Sequence, residues 1–371
     1  MTGTDARVVR PPLPLLTSLR FFAAAIVVAY HVFAPDARDG FFHAIAASGT
    51  EAVIFFFILS GFVLTYVYSG NGKASNLRTP QPKFWRARFA RVAPAYLVGL
   101  IFAVPTLLYS VFVLKSVSVP TFFLSLLLVP LFLQAWWGTT IFAWNVPAWS
   151  VSVEAFFYFL FPALEKIARL LSPMRLFAAS ITLVVFVDML KAQLRPAADG
   201  AQQAWNIMYF PPLHLSFFVL GMALCRVFLF GPAVPAFWRQ VLFPAGAVLA
   251  LGLLGFRTHL PAWCVHDGML SLAFGAMIFG AAFSSGVSLL ASWPLMLLGE
   301  ASYSLYITHY PLMFLWRSVL RHVGVLPMWL SNVLFVVFAI MVSLIVYRYV
   351  ERPWRSRLLG HAPHPDAPKT S

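Results

Sequence analysis

The chain has few charged residues, few acidic residues and almost no cysteine. Only 10% of its 371 residues are charged, and 12 Asp and Glu stand against 26 Lys and Arg. A soluble domain carries roughly 25% charged residues, so this composition excludes nearly all soluble folds and disordered chains. The two cysteines, Cys225 and Cys264, are too few for a disulfide framework or a multi-cysteine metal site.

Several catalytic signatures are also absent. The sequence has no G-x-x-x-x-G-K-[ST] phosphate loop, no H-E-x-x-H zinc motif and no G-x-S-x-G nucleophile elbow. These absences argue against a nucleotide-hydrolysing pump and a membrane metalloprotease. We expect no bound metal.

Hydrophobic residues are abundant: they make up 61% of the chain and give a mean hydropathy of +0.82. A membrane-spanning helix needs about 20 predominantly apolar residues, and eleven apolar runs approach that length. They cover residues 14–34, 49–69, 92–114, 120–136, 149–168, 174–190, 207–229, 240–256, 266–285, 293–319 and 327–349. The pattern predicts an all-α polytopic membrane protein.

The distribution of basic residues predicts the topology, because cytoplasmic loops carry an excess of Lys and Arg. The N-terminal tail, the loop after the second run and the C-terminal tail are all basic. Placing them in the cytoplasm requires an even number of crossings. The fourth run contains Pro120 and Pro130, which interrupt helices, so we expect it not to cross.

The prediction is therefore about ten transmembrane helices plus one re-entrant or non-crossing segment, with both termini cytoplasmic. The cytoplasmic tails are predicted at 1–13 and 351–371, and the transmembrane domain at 14–350. Inner loops facing membrane lipids explain the net charge of +14, so we expect no nucleic-acid partner.

Ionisable groups inside a membrane are costly, so each is a candidate functional residue. Arg20 and His31 lie eleven positions apart in the first run. At about 100° per residue they share one helix face, about 16 Å apart along the axis. This face predicts a polar tunnel with Arg20 at its inner end and His31 at its outer end. The alternative is that Arg20 reaches lipid phosphates and His31 lies at the interface.

Glu154 lies inside the fifth run, four residues after Ser150 and on the same helix face. We expect Glu154 at the depth of His31, where a carboxylate can fix the imidazole tautomer and stabilise its cation. The alternative is a glutamate that an Arg or Tyr of a neighbouring helix satisfies.

Two further groups of polar residues stand out. Ser302, Tyr306 and His309 follow one another at helical spacings of four and three and form a polar stripe on the tenth run. A buried structural hydrogen-bond network would have the same pattern.

The second group precedes the third run. Arg86, Arg88 and Arg91 lie at the predicted inner membrane face, where arginine pairs well with phosphate. Basic charge that only orients helices and meets lipid headgroups would also occur there.

These segments fall into an ordered set of motifs. The set consists of Arg20 with His31, FFFILSGFVL from Phe55 to Leu64, RFARVAPAY from Arg88 to Tyr96, WSVSVE from Trp149 to Glu154, SYSLYITHYP from Ser302 to Pro311, and ERP from Glu351 to Pro353. It resembles the acyltransferase-3 family of membrane O-acyltransferases, which modify bacterial surface sugars and lipids. Each motif is weak alone, but the ordered set spans about residues 13–357 and is specific.

The resemblance implies a cytoplasmic acyl-CoA donor, most commonly acetyl-CoA. Its phosphates would bind Arg86, Arg88 and Arg91, and Arg20 would meet the pyrophosphate or the pantetheine. The polar stripe of the tenth run would line the path of the pantetheine arm. His31 would act as general base on the acceptor hydroxyl.

In this scheme Glu154 supports His31. Direct transfer and an acyl group carried on His31 both remain open. The implied acceptor is an extracytoplasmic carbohydrate or a lipid-linked sugar, and the implied location is the bacterial inner membrane. Some relatives carry a C-terminal SGNH-type esterase domain, which we expect this chain to lack.

Two other classes of protein compete with this interpretation. A membrane transporter or flippase would also have ten helices, a broken segment and buried charges, but it would not depend on CoA. A membrane sensor or assembly subunit would use the polar residues only for structure.

Overall fold

The computed structural model describes residues 10–33, 40–70, 77, 79–194, 207–265, 268–284, 289–323 and 326–360. These residues form helices and loops, and no β-strand occurs among them. The helices are α1 (Pro14–Phe33), α2 (Phe41–Ala46), α3 (Gly49–Tyr68), α4 (Gln81–Phe112), α5 (Val119–Leu128), α6 (Ala148–Leu170), α7 (Pro173–Leu194), α8 (Leu215–Phe230), α9 (Ala236–Gly255), α10 (Ala262–Val265), α11 (Gly268–Ala281), α12 (Trp293–Val323), α13 (Met328–Val346) and α14 (Arg352–Leu359).

The predicted fold class is confirmed. Seven helical stretches in the described part of the chain are long and apolar enough to cross a membrane: α1, α3, α4, α7, α8 with the turn before it, α9, and α13 continued into α14. The other three predicted crossings correspond to α6, α11 and α12. Helix α11 has only 14 residues, and α6 and α12 carry polar side chains of the candidate site.

The segment predicted not to cross is short and folded back. Helix α5 has ten residues and is about 15 Å long, half the thickness of the hydrocarbon core. The chain after it packs into the protein through buried amides: Gln134 donates to the Ala148 carbonyl at 2.6 Å, and Asn145 donates to the Ile307 carbonyl at 2.9 Å. Irregular backbone at membrane depth requires such internal partners.

Two glycines allow α3 and α8 to cross closely. A Cβ atom on Gly61 would lie 2.0 Å from the Phe218 carbonyl oxygen, and one on Gly221 would lie 1.9 Å from the Ile58 carbonyl oxygen. The backbones therefore touch where no side chain fits. This contact fixes α3, whose opposite face lines the candidate site.

A third glycine brings α1 against α12. A Cβ atom on Gly299 would lie 2.0 Å from the Thr17 carbonyl oxygen. The crossing places Arg20 near Glu300 at one end of the pair and His31 beside His309 at the other.

Part of the predicted C-terminal tail is helical. Residues 352–359 form α14, which follows a π-helical turn at Tyr347–Glu351 and packs on α4. The predicted tail segments 1–9 and 361–371 lie outside the described residues.

Candidate active site

A cavity of about 410 Å³ lies between α1, α3, α4, α6 and α12. Along α3 its wall extends from Val53 to Tyr68, a distance of about 22 Å at 1.5 Å per residue. Four arginines and two glutamates line it: Arg20, Arg88, Arg91, Arg355, Glu154 and Glu300. The lining is therefore net positive.

The arginines gather near one end of the cavity. Arg88 donates to the Tyr68 hydroxyl at 2.9 Å, with its guanidinium 5.1 Å from the centre of that ring. The Arg88 Nε is buried and has no hydrogen-bond partner among the described residues. Buried polar groups usually have hydrogen-bond partners, so this nitrogen in a cavity wall is a candidate contact for an anionic ligand.

Arg91 is already paired. It forms an ion pair with Glu351, which is 1% exposed, and Glu351 also accepts from the Ser304 hydroxyl at 2.8 Å. Its guanidinium lies 5.8 Å from the centre of the Tyr303 ring. Arg91 therefore joins α4 to α12 and to the C-terminal residues while one side of it lines the cavity.

Arg86 does not line the cavity, unlike Arg88 and Arg91. Its Nε donates to the Leu358 carbonyl of α14 at 2.7 Å, on the exposed surface. The reason is helical: α4 begins at Gln81, so Arg86 and Arg88 are about 200° apart around its axis.

Glu154 does not pair with His31. It accepts hydrogen bonds from the Ser60 hydroxyl at 3.0 Å and from the Tyr158 hydroxyl. The expected carboxylate–imidazole pair is not formed: Glu154 is satisfied by Tyr158 of its own helix and by Ser60 of α3. Glu154 shares the cavity with Arg20 and Arg88 instead.

The depth of α6 explains this correction. Asn145, just before α6, bonds to Ile307, which lies midway along α12. Helix α6 therefore begins in the middle of the bundle and not at its outer end. Glu154 lies six residues, or about 9 Å, further down α6 from Ala148.

The predicted polar stripe on α12 divides into two parts. Ser302 and Tyr306 line the cavity, whereas His309 does not. The Tyr306 hydroxyl lies 2.6 Å from the Ser150 hydroxyl and donates to the Pro147 carbonyl at 3.2 Å. These groups lie in the cavity wall one helical turn before His309.

His31 and His309 contact each other at the opposite end from the arginines. His309 Nε2 lies 3.1 Å from His31 Nδ1, and His31 Nδ1 is also 2.9 Å from the Val27 carbonyl oxygen. His309 is completely buried, whereas His31 is partly exposed. A partly exposed imidazole held by a buried one is suited to take up a proton.

Tyrosines surround His31. The rings of Tyr30 and Tyr310 lie 5.0 and 4.9 Å from it, both edge to face. Tyr209, in the loop before α8, packs on Trp149 with ring centres 4.6 Å apart. Burial raises the pKa of Tyr209 to about 12, against the effect of a hydrogen bond with Thr50. Tyr209 therefore remains a neutral phenol at physiological pH.

Sequence reasoning did not assign several lining residues to the site: Ser60, Tyr68, Tyr158, Tyr303 and Arg355. Ser60 lies within the FFFILSGFVL motif, and Tyr158 follows Glu154 by four residues on one helix face, so both carried a usable signal. Arg355 lies in the predicted C-terminal tail, and no sequence signal marked it as a site residue.

The described residues include no group of three His, Cys, Asp or Glu side chains that could hold a metal ion. Together, the fold and the site define a multi-pass helical membrane protein with a charged internal cavity and a histidine pair. The chain belongs to the acyltransferase-3 family, whose profile, described as an acyltransferase domain, matches residues 15–348.

Individual relatives are consistent with this assignment. The chain is 32% identical to the acyltransferase MdmB of Streptomyces mycarofaciens over 82% of its own length and 79% of that protein. It is 27% identical to the peptidoglycan O-acetyltransferase OatA of Listeria monocytogenes, and 24% identical to the O-acetyltransferase OatA of Staphylococcus aureus. Each of these two alignments covers 93% of this chain but little more than half of the relative. No solved structure matches the chain.

Proposed function

We propose that this protein moves an acyl group, most simply acetyl, from cytoplasmic acyl-CoA to a hydroxyl of an extracytoplasmic carbohydrate or lipid-linked sugar. One observation carries the proposal. The arginine-rich cavity continues for about 22 Å beside α3, and its wall includes Ser150 and Tyr306, one turn before the His31–His309 pair.

The donor site in this proposal is the net-positive cavity. Arg20, Arg88 and Arg355 bind the phosphates, because guanidinium groups form charge-assisted hydrogen bonds with phosphate oxygens. The unsatisfied Nε of Arg88 supports this role. The neutral pantetheine arm extends toward Ser302 and Tyr306, so the thioester arrives beneath the histidine pair.

The transfer step uses His31 as general base. The acceptor hydroxyl loses its proton to His31 as its oxygen bonds to the acyl carbon. The C–S bond breaks, and the imidazolium returns the proton to the leaving CoA sulfur. A positioned base of this kind contributes typically about 10²–10⁴-fold to the rate. Glu154 acts within the donor cavity, where it balances Arg20 and Arg88, and not on His31.

The acceptor side of the proposal draws on the relatives, two of which are O-acetyltransferases and one of which acts on peptidoglycan by name. The two tyrosines beside His31, Tyr30 and Tyr310, suit a carbohydrate, since aromatic faces pack on the apolar faces of sugar rings. Donor on the cytoplasmic side and acceptor outside require the inner membrane, with Arg20 near its inner surface.

The test is transfer of labelled acetyl from acetyl-CoA to N-acetylglucosamine oligomers by the full chain in proteoliposomes. In parallel, calorimetry measures acetyl-CoA binding. We expect His31→Ala to abolish transfer and to preserve binding, because His31 lies outside the donor cavity. Folded protein that binds neither acetyl-CoA nor longer or succinylated CoA esters would overturn the proposal and favour a transporter or flippase.

A further inference from the structure

His309 has no role in the mechanism above, although it is the most deeply buried ionisable group beside His31. Its Nδ1 lies 2.8 Å from the Tyr306 carbonyl oxygen and 3.2 Å from the Leu305 carbonyl oxygen. Carbonyl oxygens only accept hydrogen bonds, so Nδ1 carries the proton. A neutral imidazole protonated at Nδ1 has its lone pair on Nε2.

That lone pair faces His31. His309 Nε2 and His31 Nδ1 are 3.1 Å apart, and an acceptor on His309 requires a donor on His31. The Val27 carbonyl oxygen lies 2.9 Å from the same His31 nitrogen, and as an acceptor it also requires a proton on that nitrogen. Two independent acceptors therefore select the Nδ1–H form of His31.

We propose that His309 is a positioning residue that holds His31 in its Nδ1–H tautomer and so leaves His31 Nε2 as the proton acceptor. This inference rests on the proposed function and deepens it by naming the reacting atom. It also replaces the expected role of His309 as part of the donor path, because His309 does not line the donor cavity.

A neutral partner suits this location. When His31 takes up a proton, its Nδ1–H becomes a charged donor, and the hydrogen bond to His309 Nε2 strengthens. A carboxylate would offer more stabilisation, but Glu154 is committed to Ser60 and Tyr158. The groups that face His31 from neighbouring positions are His309 and Tyr310 on α12 and Tyr30 on α1.

The first test compares variants of the full chain in nanodiscs. His309→Leu removes the acceptor, whereas His309→Gln keeps an amide oxygen that can accept from His31 Nδ1–H. We expect His309→Leu to lower kcat for acetyl transfer about 10²-fold, the lower end of the general-base effect, and His309→Gln to recover most of it. Both should bind acetyl-CoA with wild-type affinity.

Thr308→Val is the matched control, since Thr308 is equally buried on the same helix and its hydroxyl bonds only to the Ser304 carbonyl. It should retain wild-type kcat. A His309→Leu protein with wild-type kcat, or a His309→Gln protein no more active than His309→Leu, would overturn the inference. If His31→Ala also kept full transfer activity, the proposed function itself would fail.

The second test needs no His309 variant. In wild-type protein labelled with ¹⁵N-histidine, the nitrogen shifts distinguish Nδ1–H from Nε2–H imidazoles, and the spectrum of His31→Asn identifies the His31 signal. We expect His31 in the Nδ1–H form, which free histidine disfavours. A signal from the Nε2–H form would contradict the proposal even if His309→Leu fails to fold.

Discussion

The hydroxyl groups of Ser150 and Tyr306 lie 2.6 Å apart in the wall of the inner cavity, one turn before the histidine pair. Both hydroxyl oxygens also lie within hydrogen-bond distance of the Pro147 carbonyl oxygen, Ser150 at 3.1 Å and Tyr306 at 3.2 Å. The start of α6 is therefore fastened to the middle of α12. In the proposed mechanism, the thioester of the donor passes this contact to reach His31.

Removing the contact between Ser150 and Tyr306 should open the cavity wall at this point. Tyr306→Phe deletes one hydroxyl, while Ser150 keeps its bond to Pro147, so we expect a loss of about 1 kcal/mol of stability. We also expect faster hydrolysis of acetyl-CoA without an acceptor, because the donor cavity gains a path to water. Release of free CoA thiol measures this. Wild-type hydrolysis in the folded variant would show that the contact is not a barrier.

Arg88 and Arg86 are two residues apart and offer a matched pair of variants to test the proposed donor site. Arg88→Ala should weaken acetyl-CoA binding by about 10- to 100-fold, as expected for the loss of about 1.5–3 kcal/mol of charged hydrogen bonding. Arg86→Ala should leave the dissociation constant unchanged, because Arg86 bonds to Leu358 outside the cavity. Calorimetry compares the two. Equal losses would mean that the donor binds at the surface and not in the cavity.

The ion pair of Arg91 and Glu351 is nearly dry, with Glu351 only 1% exposed. Removing one partner of a buried pair leaves an uncompensated charge and costs about 3–5 kcal/mol. We therefore expect Glu351→Gln to lower the melting temperature markedly. Arg357→Ala, an exposed change on α14, should have an effect within about 0.5 kcal/mol. Similar melting temperatures for the two variants would refute a structural role for Glu351.

The α3–α8 crossing predicts a sharp difference in stability between two Gly→Ala variants. In Gly61→Ala the new methyl group meets the Phe218 carbonyl oxygen, so the helices must separate at a cost of roughly 1–3 kcal/mol or more. In Gly252→Ala the methyl group meets nothing within 4 Å, and the change should be neutral or slightly stabilising. Thermal unfolding in detergent measures both, and a stable Gly61→Ala protein would argue against the close crossing.

Much of the fold could be predicted because it depends on local properties of the sequence. Apolar runs gave α1 and α3 within one residue of their observed ends, since a membrane helix must satisfy its backbone within itself. The paired prolines predicted an interrupted segment, and the helix there, α5, has only ten residues. The basic start of α4 was missed, because a charged segment such as Lys83–Arg91 shows no apolar run although it is helical.

The candidate site was predicted in part. The cavity contains Arg20, Arg88, Arg91, Glu154, Ser302 and Tyr306, all named from the sequence. Their partners were not predictable. Spacing fixes which residues share a face of one helix, but it does not fix the depth of α6 relative to α1, and that depth decided the partner of Glu154.

The sequence by itself determined that this is a helical membrane protein, where its apolar helices lie and which polar residues are placed within them at an energetic cost. These follow from hydropathy and periodicity, which act within about 20 residues of chain. Only the tertiary structure decided that His31 meets His309, that Glu154 meets Ser60 and Tyr158, and that Arg86 leaves the site. Those outcomes depend on where helices cross, and the crossings are set by close backbone contacts at Gly61, Gly221 and Gly299 between residues far apart in the chain.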